Sequence, residues 1–138
     1  SFEQHGRPCA AMMPVEPDEV SNYGVVRIED SKIVEIVEKP AKENAPSNLV
    51  LCGRYVFTAD ASELLERFDV ETHGELQTIA LQQHWMDHGG MYGVELDGYQ
   101  WYDSGKPLPW LKAQVDHALR REDMGEEFRI WLMQRLTE

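Results

Sequence analysis

The hydrophobic pattern of this chain changes period partway along. Val25, Val26 and Ile28, then Ile33, Val34, Ile36 and Val37, are all β-branched and are separated by the polar stretch Glu29–Lys32. Branched side chains of this kind fit a pleated surface. They predict strands over Asn22–Arg27 and Ile33–Lys39, joined by a turn at Asp30-Ser31. The almost wholly apolar run Leu49–Phe57 predicts a third strand, buried on both faces. The period then lengthens. "ADASELLERF" predicts a helix with Asp60 or Ser62 as N-cap. "GELQTIALQQHWMDHGG" predicts a second helix, with Leu76, Ile79, Ala80 and Gln83 marking its faces and Gly89-Gly90 ending it. "MYGVEL" reads as a strand, and "DGYQWYDSG" as a turn leading into a short strand. From Pro109, the residues Trp110, Leu111, Val115, Ala118 and Leu119 recur at helical spacing, and Gly125 breaks the run. A last amphipathic helix carries Phe128, Trp131, Leu132 and Leu136. Residues 1–18 lack periodicity and predict an irregular lead-in. Strands followed by helices and late strands give an α/β or α+β order. No GxGxxG or GxxxxGK turn is present.

Length and charge narrow this picture. The 138 residues suffice for one domain with a core. The formal net charge of −12 argues against nucleic acid or an anionic membrane surface as a general partner, since both need a basic footprint. It leaves room for one anionic small molecule held by a local lysine. No apolar run approaches the roughly 20 residues that span a bilayer, and no signal-peptide pattern opens the chain, so a cytoplasmic protein is expected. Cys9 and Cys52 are the only cysteines and are expected as reduced thiols, with no zinc pattern. The opening "SFEQHGRP" has neither capping nor strand logic, and is expected to be a cut edge of something longer or a cloning remnant.

Three places invite chemistry. In "KIVEIVEKP" strand alternation puts Val34, Ile36 and Glu38 on one face. A carboxylate continuing an apolar row is costly without partners, yet it suits a strand end bordering a cleft, where sugar hydroxyls donate to it. Lys39 beside it could meet a phosphate, and Pro40 ends the ladder. The same residues also fit a plain solvated strand end. Gly24 inside "NYGVV" fits either a bulge or a close approach by ligand. Asp103 in "WYDSG" fits a single carboxylate for Mg²⁺, which takes few protein ligands, or an Asx-turn closing on its own backbone. His5, His73, His84, His88 and His117 are scattered. His84 and His88 have the i,i+4 spacing of a metal pair but lack the glutamate of HExxH and any evident third ligand.

"NYGVV", "VEKP", "APSNLVLCGRYVF", "GELQTIAL" and "WYDSGKPLPWLKAQVDHAL" occur in that order, and from about Val15 to Arg120 the chain resembles the C-terminal half of bacterial UTP–glucose-1-phosphate uridylyltransferases. The resemblance implies a Rossmann-like α/β nucleotidyltransferase fold, of which residues 1–138 are the sugar-phosphate-binding C-terminal part, a mixed sheet flanked by helices. It implies uridylyl transfer from UTP to glucose 1-phosphate, giving UDP-glucose and pyrophosphate with Mg²⁺. Gly24 would match backbone that contacts the sugar, and Glu38 the carboxylate on glucose hydroxyls. Lys39 would match the lysine near the phosphate, as both substrate-binding and catalytic residue, and Asp103 a Mg²⁺-binding aspartate. The family's N-terminal half, with its glycine-rich phosphate loop, uracil pocket and first Mg²⁺ aspartate, has no counterpart here. "GELQTIALQ" stands where the family usually reads "GEIQLTDAI", and "WYDSG" where a His-Asp-Cys-Gly type sequence is common. The expectation is a chain inactive alone and prone to homo-oligomerise, through the open sheet edge and the apolar stripe of its last helix. A non-catalytic sugar-phosphate-binding or assembly module is the alternative.

Overall fold

The computed structural model describes residues 1–67 and 78–137. In chain order these form α1 (Phe2–His5), β1 (Cys9–Pro14), β2 (Gly24–Glu29), β3 (Lys32–Glu38), β4 (Leu49–Val56), α2 (Ala61–Arg67), α3 (Thr78–Asp87), β5 (Met91–Glu95), α4 (Pro107–Arg120) and α5 (Gly125–Leu136). Leu76 and His73 lie outside the described residues. The strands run β1-β4-β2-β3-β5, and β5 returns to pair with β1. The β1–β5 pair is parallel and the rest are antiparallel, so the sheet is mixed, as expected.

The β2–β3 hairpin follows from its turn. Asp30 and Ser31 both hold left-handed backbone, φ 48° and 64°, which gives a two-residue turn the twist that paired strands need. The register places Glu29 opposite Lys32 and Gly24 opposite Glu38, with a shift between Arg27 and Ile28. That shift corrects the expected apolar row. Ile33 is buried while Val34 is 39% exposed, and Ile36 rather than Val34 joins Ile33 against the core. A bulge re-phases alternation in this way. β2 also starts later than expected, because Val20–Asn22 coil into a 3₁₀ turn.

Two strands depart further from the sequence reading. β1 occupies the stretch taken as irregular. Cys, Ala and Met have weak strand preference, and β1 exists because β4 and β5 flank it. β4 is not buried on both faces. Val50 is fully buried, but Val56 is 47% exposed and Arg54 is open to solvent. Ala10 pairs with Tyr55 and Met12 with Leu51, so Cys52, Gly53 and Arg54 oppose Ala11 alone. Gly53 takes φ 72° there, a conformation that glycine adopts freely. The strand expected after Asp97 is not found among the described residues. β5 bonds β1 and, at Lys32 and Ile33 alone, β3, so among the described residues no strand pairs the rest of β3 on that side.

Residues 1–99 form one compact unit and residues 100–138 a second. In the first, α3 lays Leu81 and Trp85 against Met12, Val26, Ile33 and Met91. Its buried face is Leu81, Gln82 and Trp85; of the residues expected to mark its faces, Ile79 is 37% exposed and Gln83 is open to solvent. Trp85 packs on Phe57, ring centroids 4.9 Å apart, and its Nε1 donates to the Asp60 carboxylate at 3.3 Å. Asp60 also starts α2, its carbonyl accepting the Leu64 N–H at 2.9 Å. Both cysteines are free thiols. Among the described residues no helix is long and apolar enough to cross a membrane.

In the second unit Gly125 opens α5 and is buried. A Cβ there would stand 2.6 Å from the Leu119 carbonyl oxygen, and a backbone atom cannot give way as a flexible side chain can. Gly125→Ala is therefore expected to destabilise this unit by about 2 kcal/mol, although alanine is the better helix former. Thermal unfolding followed by far-UV circular dichroism measures it; an unchanged or raised midpoint would contradict the close approach.

Candidate functional site

The β2–β3 register builds the rim of a cavity. Gly24 and Glu38 are partners across the ladder, and a Cβ on Gly24 would lie 3.0 Å from Glu38 Oε2 and 3.8 Å from Leu51 Cδ1. The missing side chain is what lets the carboxylate fold back over β2. Both residues line a hollow of about 270 Å³. Leu51, Gly53 and Tyr55 of the bulged β4, and Thr78, Ile79 and Gln82 of α3, complete its walls.

The carboxylate is not pressed inward as the alternation argument had it. The Glu38 side chain is 61% exposed, and at a wet rim it escapes most of the desolvation cost that a buried charge would meet. Lys39 Nζ stands 3.7 Å from Glu38 Oε1 and is 64% exposed. A pair this open contributes little by itself, which leaves both charges available to a ligand. Lys39 lies beside the rim rather than in the cavity wall. Its backbone is left-handed, φ 45°, pinned by an N–H that donates to the Tyr23 carbonyl at 3.0 Å. Pro40 disfavours the right-handed helical alternative for its predecessor. Left-handed backbone costs a residue with a Cβ about 1–2 kcal/mol, and strain of this kind tends to gather at working sites.

The inner wall is polar in an unexpected place. Gln82 is 1% exposed, the only fully buried polar side chain among the described residues. Its Nε2 donates to Thr78 Oγ1 at 3.3 Å, and its Oε1 has no partner. Burial raises the pKa of the Tyr55 phenol, an effect partly offset by hydrogen bonding from Gln82 and Thr78. Sequence reasoning passed over Gln82. The available signal was a glutamine beside Leu81 and one helical turn from Trp85, on the face those two bury.

Asp103 belongs to the second unit. Its Oδ1 accepts the Gly105 N–H at 2.9 Å and its carbonyl accepts the Lys106 N–H at 3.2 Å, so the Asx-turn is formed. Its side chain is 24% exposed, with Lys106 Nζ 3.9 Å from Oδ2. Among the described residues no three His, Cys, Asp or Glu gather as a metal cage. His84 and His88 stack on each other, centroids 4.3 Å apart. A lone carboxylate fits Mg²⁺ as one ligand among waters and phosphate oxygens, and does not fit a metal held by protein alone.

Against known proteins, the model of the nucleotidyl transferase family matches residues 1–118. A UTP–glucose-1-phosphate uridylyltransferase of Haemophilus ducreyi is 37% identical over 131 residues, covering 88% of this chain and 44% of that protein. The Streptococcus pneumoniae protein of the same name is 30% identical over 139 residues, covering 96% of this chain and 46% of its own. The structure of a UTP-bound UGPase from Acinetobacter baumannii superposes with a TM-score of 0.78 at 30% identity, covering 96% of this chain and 47% of that one. A UDP-glucose pyrophosphorylase complexed with UDP-glucose superposes with a TM-score of 0.71 at 31% identity, covering 87% and 47%. The chain spans about half the length of the curated relatives it matches.

The left-handed Lys39 makes a prediction independent of ligand. Lys39→Gly and Lys39→Ala remove the same charge, but only glycine relieves the backbone, so the glycine variant is expected to be about 1 kcal/mol the more stable. Urea denaturation of the two decides it, and an alanine variant as stable as the glycine one counts against the strain.

Proposed function

Because this chain belongs to the nucleotidyl transferase family, we propose that its rim cavity holds the sugar phosphate in transfer of a uridylyl group from UTP to glucose 1-phosphate. The observation that carries the reading is Glu38 folded over Gly24 at the mouth of a hollow, with the Lys39 ammonium 3.7 Å from it. Glu38 accepts hydrogen bonds from hexose hydroxyls, each charge-assisted and worth about 1.5–3 kcal/mol. Gly24 keeps the backbone low enough for the ring to approach. Lys39 neutralises the sugar phosphate, and because it flanks the rim it reaches an anion standing outside the cavity. In the whole reaction a phosphate oxygen of glucose 1-phosphate forms a bond to the α-phosphorus of UTP. The bond from that phosphorus to the bridging oxygen breaks, and pyrophosphate leaves. Holding the nucleophile in line is the part assigned to these residues. Asp103 would supply one carboxylate to Mg²⁺, whose chemistry when bound is neutralisation of phosphate oxygens.

Calorimetric titration with glucose 1-phosphate tests the site. Glu38→Ala is expected to weaken binding about 10-fold or more. Gly24→Ala is expected to weaken it through displacement of the Glu38 carboxylate, with little loss of stability, because the atom met is the end of a flexible side chain. Equal affinity in all three proteins would remove the cavity from the reaction. The 138 residues by themselves are expected to bind without turnover, and UDP-glucose formed by this chain alone would overturn that division of labour.

Self-association is a separate proposal, favoured by apolar side chains open to solvent in the second unit. Leu108 is 61%, Leu111 52%, Met133 63% and Leu136 85% exposed. Burying such surface is favourable at about 25 cal/mol per Å². Sedimentation velocity should show a concentration-dependent rise in mass, and a monomer at every concentration would exclude it.

A further inference from the structure

We infer that Gln82 is a specificity-determining residue of the cavity, its side-chain amide reading a hydroxyl on the inward side of the hexose. The inference rests on the sugar-site reading above and goes beyond it, because no charge or motif marks Gln82. A buried polar atom without a hydrogen bond costs about 1–3 kcal/mol, and such atoms are rare enough in folded proteins to need a reason. The amide of Gln82 is nearly inaccessible, at 1%. One end is occupied by Thr78 and, with Thr78, acts on the Tyr55 phenol. The other end, Oε1, is unpaired. Thr78, Tyr55 and Gln82 all stand in the wall of the cavity that Glu38 borders, so the unpaired amide belongs to the candidate site and not to a distant part of the core.

The surroundings set the ligand chemistry. Leu51 and Ile79 share that wall and offer only apolar contact, which suits the C–H face of a pyranose ring. Glu38 is acceptor-only, whereas an amide both donates and accepts. A hydroxyl does both as well, and so pairs with either end of the amide. Oε1 is closed to a water-sized sphere in the free chain, so contact requires a turn of the amide. The last torsion of glutamine is broad, and that turn needs no backbone movement. Glu38 then holds the sugar from the rim and Gln82 from the buried part of the wall. A site built to bond a hydroxyl rejects the analogue lacking it, since its buried polar groups are left unpaired.

The test is calorimetry of the full chain with glucose 1-phosphate and its four monodeoxy analogues at positions 2, 3, 4 and 6, on wild type, Gln82→Leu and Gln82→Met. The expected result is that wild type binds more weakly the analogues that lack a hydroxyl read by Glu38, and that one further analogue, lacking the hydroxyl read by Gln82, is also bound about 10-fold more weakly than glucose 1-phosphate. Both variants should bind glucose 1-phosphate about 10-fold more weakly, without discriminating against that analogue. Thermal midpoints of the variants should equal or exceed that of wild type, because the unpaired amide is gone. If the variants keep wild-type affinity and the wild-type analogue profile, Gln82 does not read the sugar, while the Glu38 site stands. If both variants lose stability, the amide is a structural strut and the inference falls. If wild type itself fails to bind glucose 1-phosphate, the sugar-site reading falls, and this inference with it.

Discussion

The pairing of Gly24 with Glu38 across β2 and β3 is the constraint on which the candidate site depends. A slip of one residue would turn every side chain of β3 to the opposite face. It would also put a residue with a Cβ where the carboxylate now folds. The register is fixed from three directions. The left-handed Asp30-Ser31 turn sets it at the closed end, and the shift at Arg27/Ile28 adjusts its phase. Ser47 ties β2 to the start of β4, its Oγ donating to the Val26 carbonyl at 2.6 Å and accepting the Leu49 N–H at 2.9 Å. Asn48 joins the same splice, its Nδ2 donating to the Val15 carbonyl at 3.2 Å. "PSN" thus has a mechanical meaning: it locks the strand that carries Gly24 to the strand that carries Leu51, Gly53 and Tyr55.

What was legible in the sequence was whatever local chemistry decides. The hairpin, α2, α3 and both C-terminal helices follow from period and branching. Glu38 does share the core-ward face of Ile36, which is the part of the alternation argument that strands obey locally. Tertiary context decided the rest. β1 is a strand because two neighbours hydrogen-bond to it, and no property of "CAAMMP" says so. The bulges at Val34 and at Cys52–Arg54 cannot be seen in a period-2 pattern, because a bulge is a mismatch between two strands and only one of them is being read. The burial of Gln82 was hidden for a related reason. Helical periodicity ranks positions by hydrophobicity, so a polar residue on the buried face reads as a boundary of that face. At Asp103 both sequence readings, Asx-turn and metal carboxylate, use the same oxygen atoms; the observed turn takes Oδ1, and the Lys106 ammonium stands 3.9 Å from Oδ2.

Charge and burial are divided across the cavity in a way that suits an anionic, hydroxyl-rich ligand. The ionic groups sit at the wet edge, where Glu38 and Lys39 hold their charge at little cost in solvation. Of the neutral polar groups in the wall, Gln82 is buried and Tyr55 half-buried, while Thr78 is exposed; at Gln82 an unpaired charge would be far more expensive than an unpaired amide. A ligand with a phosphate at one end and hydroxyls around a ring matches that gradient: its charge stays near water while its ring displaces water from the wall.

Two features that disfavour the free fold lie within a few residues of this cavity: a left-handed lysine at its edge and an amide with an unpaired end in its wall. The left-handed Asp30 and Ser31 are accounted for by the hairpin turn they form. Local rules break where something other than stability has been selected. A site that is merely the leftover end of a hairpin would have no reason to keep a buried glutamine where leucine would pack, or a Cβ-bearing residue where glycine would relax. Both lie beside a carboxylate that a glycine accommodates. That coincidence, more than the acidity of Glu38 or any single motif, is what favours reading this hollow as a ligand site.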